Sequence, residues 1–172
     1  MTNWSIDNVT TKLIPIQDPF LLGLKKDWFN QAHRPVNYAE FIMIADRWFK
    51  STTLNDLQGW DTFPCIDVII GCTHFIESLI IKYGRNGIQI LPEEYAYFSL
   101  MGIHGTAVGN LKPNIPLIIS LPNWRYADIR PEWPDVLKEC EAKNIDIHID
   151  FAWITAARDI VMDLSHPNIK SI

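Results

Sequence analysis

A chain of 172 residues, 48% hydrophobic and 20% charged, is long enough to fold as one domain around a substantial core. Its net charge of -5 and the absence of any basic run with interleaved aromatics exclude the electrostatic footprint of a nucleic-acid binder. No apolar stretch reaches the roughly 20 residues of a membrane helix, and Met1-Thr2-Asn3-Trp4-Ser5-Ile6-Asp7 lacks the basic-then-apolar order of a signal peptide, so no membrane and a cytoplasmic location are expected. Cys65, Cys72 and Cys140 are odd in number and widely spaced, which argues against a disulfide framework or structural zinc. His104 and His148 are not at ligand spacing with any carboxylate or thiol, so no metal is expected.

Residues 1–36 carry Pro15, Pro19 and Pro35 and no sustained period, and read as an arm with short turns. Asn37-Tyr38-Ala39-Glu40 is a capping-box pattern, and Phe41, Ile42, Ala45, Trp48 and Phe49 share one face of a helix to Lys50. Residues 51–64 are polar and turn-like, with Trp60 and Phe63 placed to dock the connection onto the body. The expected division is therefore 1–58, arm and helix, and 59–172, the main domain.

An apolar run at residues 66–70 has strand length. Gly71-Cys72-Thr73 then opens a helical pattern at Phe75, Ile76, Leu79, Ile80 and Tyr83, closed by Gly84. Thr73 is a natural N-cap, and the N–H groups of a helix start suit a phosphate. Cys72 at that start reads as a small turn residue, although a thiol there can have a lowered pKa and act as a nucleophile. Residues 88–91 form a second strand ending at Pro92, Glu93 and Glu94 a solvated turn, and Tyr95 begins a short aromatic helix. A further strand is expected within 104–110 and a buried one at 116–121. Residues 134–144 read as a helix with Val136, Leu137 and Cys140 inward, and 145–150 alternate strictly. Residues 154–164 read as helix, and another strand begins near Ile169. Arg125 and Arg130 read as surface residues that could alternatively grip a carboxylate.

Strands separated by helical patterns imply right-handed βαβ units and a mainly parallel sheet, with ligands beyond the carboxyl ends of the strands. Gly71, Cys72, Thr73, Tyr95, Asn123 and Asp150 all fall at such ends. The order of these landmarks resembles the large domain of the fold-type I pyridoxal phosphate enzymes, most closely the class I/II aminotransferases, over residues 59–172. The resemblance implies an α/β, three-layer αβα build, incomplete relative to that family's large domain. It implies that Gly71, Cys72 and Thr73 hold the phosphate of pyridoxal 5'-phosphate, that Tyr95 stacks on its ring, and that Asp150 bonds the ring nitrogen as the catalytic carboxylate. Asn123 is the nearest match to the family's amide on the phenolic oxygen, and Trp153 stands where the family has Tyr. The implied reaction moves an amino group between an amino acid and a 2-oxo acid, in a homodimer.

Departures from the family are equally legible. Ser120-Leu121-Pro122-Asn123-Trp124-Arg125-Tyr126 replaces its Asn-Pro-x-x-Pro-x-Gly, and its cofactor Lys would fall past Ile172 at the usual spacing. Lys170 is the only Lys after Asp150 and precedes an incipient strand. The expectation is thus a truncated form lacking the catalytic Lys, or alternatively a non-catalytic binding or interaction module derived from the same fold.

Overall fold

The computed structural model describes residues 37–52, 55–63, 71–154 and 157–172. By its contacts the chain divides into two units, Met1–Phe41 and Ile42–Ile172; the boundary falls within the first described helix, and every element after that helix belongs to the second unit. Along the chain, α1 (Tyr38–Thr52) leads to β1 (Asp56–Gln58), and α2 (Cys72–Tyr83) to β2 (Gln89–Ile90) and the short α3 (Ala96–Leu100). Then come β3 (Leu117–Ser120), α4 (Trp133–Ala142), β4 (Ile147–Asp150), β5 (Val161–Asp163) and β6 (Ile169–Ser171).

The described residues mix helices with parallel strands, an α/β fold. β2, β3, β4 and β6 lie side by side in that order, every pair parallel. A parallel pair needs a crossover, and α4 supplies it between β3 and β4. β1 and β5 make a separate parallel pair.

Period-two alternation sorts the strand residues between two apolar clusters. Leu117, Ile119, Ile147 and Ile149 join Val136 and Cys140 of α4 in one cluster. Ile118 joins Ile76, Leu79 and Ile80 of α2 and Phe98 of α3 in the other. All four positions of β3, and all four of β4, are buried, as strands sandwiched between covering elements must be. Gln89 is buried too, and its amide is fully used: Nε2 donates to Lys112 O and Ile115 O, and Oε1 accepts from Lys112 N. That side chain binds the loop before β3 to the sheet.

Several expectations meet the structure differently. The helix expected over 154–164 is not found among the described residues: Ile154 lies in a turn, residues 157–160 are irregular, and Val161, Met162 and Asp163 form β5 because they find a backbone partner in β1; residues 155–156 lie outside the described residues. That partner falls within the segment read as turns, where Trp60 and Phe63 do pack against the first cluster. The strand expected at 66–70 also lies outside the described residues. Of the strand expected within 104–110, one parallel bridge forms, between Ile90 and Gly105.

Candidate ligand pocket at the carboxyl ends of β3 and β4

Gly71, not Thr73, is the N-cap of α2; its φ of 126° is reserved for glycine, and without a side chain it leaves the first-turn N–H groups uncapped. The Phe75 N–H reaches the Gly71 carbonyl at 3.2 Å and closes the first turn. Cys72 and Thr73 then project from the opening turn into a pocket of about 240 Å³. The other lining residues are Ile76, Tyr95, Trp124, Asp150, Ala152 and Trp153.

Asp150 is the last residue of β4 and is 5% exposed. Its Oδ1 accepts the Ala152 N–H at 3.1 Å, a short-range bond that turns the chain and leaves the carboxylate facing the pocket. Tyr95 and Trp153 remain about half exposed, so each offers a ring face rather than core packing. Tyr95 meets Trp124 edge to face, with centroids 6.1 Å apart and planes at 71°. The Trp124 indole donates from Nε1 to the Glu93 carbonyl at 2.9 Å, which fixes that second ring.

The Cys72 thiol is pushed up to about 11 by partial burial, then by the charge and hydrogen bond of Asp150. The helix start does not prevail over that neighbour, so Cys72 holds its proton at neutral pH and is no nucleophile there.

Of the residues marked by sequence, Cys72, Thr73, Tyr95, Asp150 and Trp153 come together in this pocket, with Gly71 at its edge in sequence. Asn123 does not line it. Its Oδ1 accepts the Arg125 N–H at 2.9 Å in a local turn, and it lines an adjoining groove with Tyr126, Asp128 and Arg130. Lys170 is also elsewhere: its Nζ donates to Pro167 O at 2.7 Å and lies 3.8 Å from Asp146, just before β4 begins and thus at the end remote from Asp150.

Sequence reasoning missed the support beneath the pocket. Glu94, read as a solvated turn residue, has a side chain with no exposed area, and Arg130, read as a surface residue, is 8% exposed. Arg130 Nη2 donates to Glu94 Oε1 at 2.8 Å and to Pro92 O at 3.1 Å, while Glu94 Oε2 accepts the Ser120 N–H at 3.1 Å. Burial pushes the Glu94 carboxyl up, against the pull of Arg130 and of the Ser120 N–H. No motif or periodicity marks this pair. Trp124 had a fainter signal, as an aromatic just after the Pro that ends β3.

Among the described residues, no group of three His, Cys, Asp or Glu is placed to hold a metal ion, and no helix is long and apolar enough to cross a membrane. Comparison of the chain with protein-family models, with curated proteins and with solved structures finds no match.

Proposed function

We propose that this pocket holds pyridoxal 5'-phosphate and that the chain is an aminotransferase-like protein, its parallel sheet and helices being part of a three-layer αβα domain of that class. The observation that carries the reading is the convergence of Thr73, Tyr95, Asp150 and Trp153, up to 80 positions apart, on one small pocket floored by a buried carboxylate. A ligand for that floor should be flat, to lie between half-exposed rings, and should carry a protonated ring nitrogen to answer the carboxylate. The uncapped start of α2, whose Cys72 and Thr73 line the same pocket, suits a phosphate.

The residues present fit the cofactor in these respects. Thr73 and the N–H groups of the first turn of α2 would hold the phosphate, and Tyr95 would cover one ring face. Asp150 would keep a proton at the ring nitrogen, with Ala152 holding its carboxylate in line. Trp153 can offer only a donor toward the ring's oxygen. When bound, the cofactor supplies an electron-accepting ring for amino transfer between an amino acid and a 2-oxo acid. Assembly as a homodimer belongs to the same proposal.

One observation favours a second reading, a non-catalytic binding module. Among the described residues the lining has three aromatic rings, one carboxylate, a protonated thiol and no amine, a composition that also suits a methylated ammonium group.

Titration with pyridoxal 5'-phosphate, followed by tryptophan fluorescence and by the cofactor's visible absorbance, tests the first reading. Saturable quenching that weakens in Asp150→Asn is expected. Absence of saturation up to millimolar cofactor removes it, and saturation by choline instead selects the second.

A further inference from the structure

We propose that the buried Glu94–Arg130 pair is the positioning device for the Tyr95–Trp124 wall of the pocket, and that it sets how tightly the pocket holds a flat ring. The inference rests on the reading of the pocket as a ring-binding site. Tyr95 is 42% exposed and opens a helix of only five residues, so its own packing does not fix it. The segment before it is held from outside. Arg130 bonds the Pro92 carbonyl, Trp124 bonds the Glu93 carbonyl, and Glu94 spans Arg130 and the Ser120 N–H. These bonds grip three successive residues from the end of β3 and the segment that follows it.

Glu93, in the middle of that grip, has a φ of 61°, a left-handed conformation uncommon for a residue with a side chain. Such a conformation persists only when its surroundings over-determine it. Here the surroundings are the Arg130 bonds to Pro92 and Glu94 on either side and the Trp124 bond to the Glu93 carbonyl itself. A buried ion pair is weak support for stability, because desolvation offsets its attraction, so its role is better sought in the conformation it selects. Ser120 in turn stands opposite Asp150 in the β3–β4 register. The pair therefore connects the aromatic wall to the strand ends that carry the carboxylate. Neither Glu94 nor Arg130 lines the pocket, which makes them positioning residues.

The test uses the full chain in two measurements, one of which needs no ligand. The first is the indole N–H resonance of Trp124, assigned by its loss in Trp124→Phe, which reports the bond to Glu93 O. The second is the dissociation constant for pyridoxal 5'-phosphate. Arg130→Met is expected to shift the indole resonance toward that of a free indole and to weaken binding about tenfold, whereas Arg130→Lys, which keeps a charged donor, stays within about threefold of the wild type. Should Arg130→Met not fold, Glu94→Gln takes its place with the same expectation, since it still offers an acceptor to the Ser120 N–H. An unmoved resonance, or Lys and Met variants that behave alike, overturns the proposal. Equal cofactor binding in all variants overturns it while leaving the cofactor reading intact. A resonance that follows the pair in a protein that never binds the cofactor upholds the positioning role and removes the cofactor reading.

Discussion

Ser120 and Asp150 face each other across the last rung of the β3–β4 ladder, and each is the foot of a different pocket wall. The Ser120 N–H is taken by Glu94, the neighbour of Tyr95, and the Asp150 carboxylate takes the Ala152 N–H, next to Trp153. The Leu121 N–H bonds the Asp150 carbonyl at 3.1 Å and continues the ladder one step beyond the strand. The two aromatic walls are thereby referred to one rigid piece of sheet, and the buried carboxylate lies where they converge.

Asp150→Asn should cost affinity and little stability. The amide oxygen can still accept the Ala152 N–H, so the turn survives, but the charge opposite a protonated ring nitrogen is gone. A hydrogen bond to a charged group contributes about 1.5–3 kcal/mol, so pyridoxal 5'-phosphate should bind roughly ten to a hundred times more weakly. Fluorescence titration beside a thermal melt separates the two effects, and an equal loss of both would contradict the assigned role.

The same substitution should quicken Cys72. With the thiol at about 11, only about 1% is thiolate at pH 9, so alkylation by iodoacetamide should be slow and still rising there. Removing the Asp150 charge and hydrogen bond lowers that barrier in part, since burial is the larger cause, and a several-fold faster reaction is expected. Peptide mapping by mass spectrometry distinguishes Cys72 from Cys140, which burial pushes up to about 12 and which should stay unreacted in the folded protein. Complete labelling of Cys72 at pH 7 within the time a free thiol needs would refute the environment described.

His148 makes stability fall in mild acid. Burial lowers its pKa from 6.5 to about 4, with Asp146 opposing and Lys82 and Lys170 adding to the effect. The folded state then binds fewer protons than the unfolded state between those values. Stability contributed by neutral His148 is complete above pH 6.5, declines as pH drops through 6.5, and is fully lost near pH 4, about 3 kcal/mol at most. Nδ1 keeps its 2.7 Å contact with Ser171 Oγ only in the packed ring, 5.7 Å from the Tyr83 ring. Urea midpoints measured from pH 7 to 4.5 should therefore fall more steeply in the wild type than in His148→Gln, and parallel curves would exclude His148 as the cause.

Gly105 should tolerate no side chain. A Cβ there would lie 2.6 Å from the Pro92 Cα and 2.7 Å from the Leu91 carbonyl oxygen, both backbone atoms that cannot rotate aside. The close approach is what permits the Thr106 N–H to reach Ile90 O at 2.7 Å on the open side of β2. Gly105→Ala should lose about 1–3 kcal/mol by urea unfolding, in the range of overpacked sites.

How much of this was legible in the sequence depended on how local the signal was. β3 and β4 were readable because short β-branched runs bounded by Pro and Asn leave few alternatives. The start of α2 is readable, but side chain alone puts its cap two residues too late, since Thr73 outranks Gly71 and only the backbone angle reveals the glycine. β5 was not readable: Val161-Met162-Asp163 is too short to show a period, and its strand character comes from β1, more than 100 positions away. Placing strand ends on one edge brings Cys72, Thr73, Tyr95 and Asp150 together, but it also puts Asn123 there, which lines a different groove; Trp153 is marked only by the family resemblance. The Glu94–Arg130 pair could not follow, because burial of a charge is decided by what folds over it.

The contacts of Asn55 impose an order on assembly. Its amide donates to Ile154 O and Ala157 O, and its oxygen accepts the Ile160 N–H, so one side chain just before β1 binds the segment that follows Trp153. Those partners are 99 to 105 positions downstream, which makes this closure one of the slow, non-local steps of folding. A chain emerging from a ribosome can build α2, β2 and β3 well before it can seat that clasp. The Trp153 side of the pocket is therefore among the last features to take shape, and any ligand must wait for it.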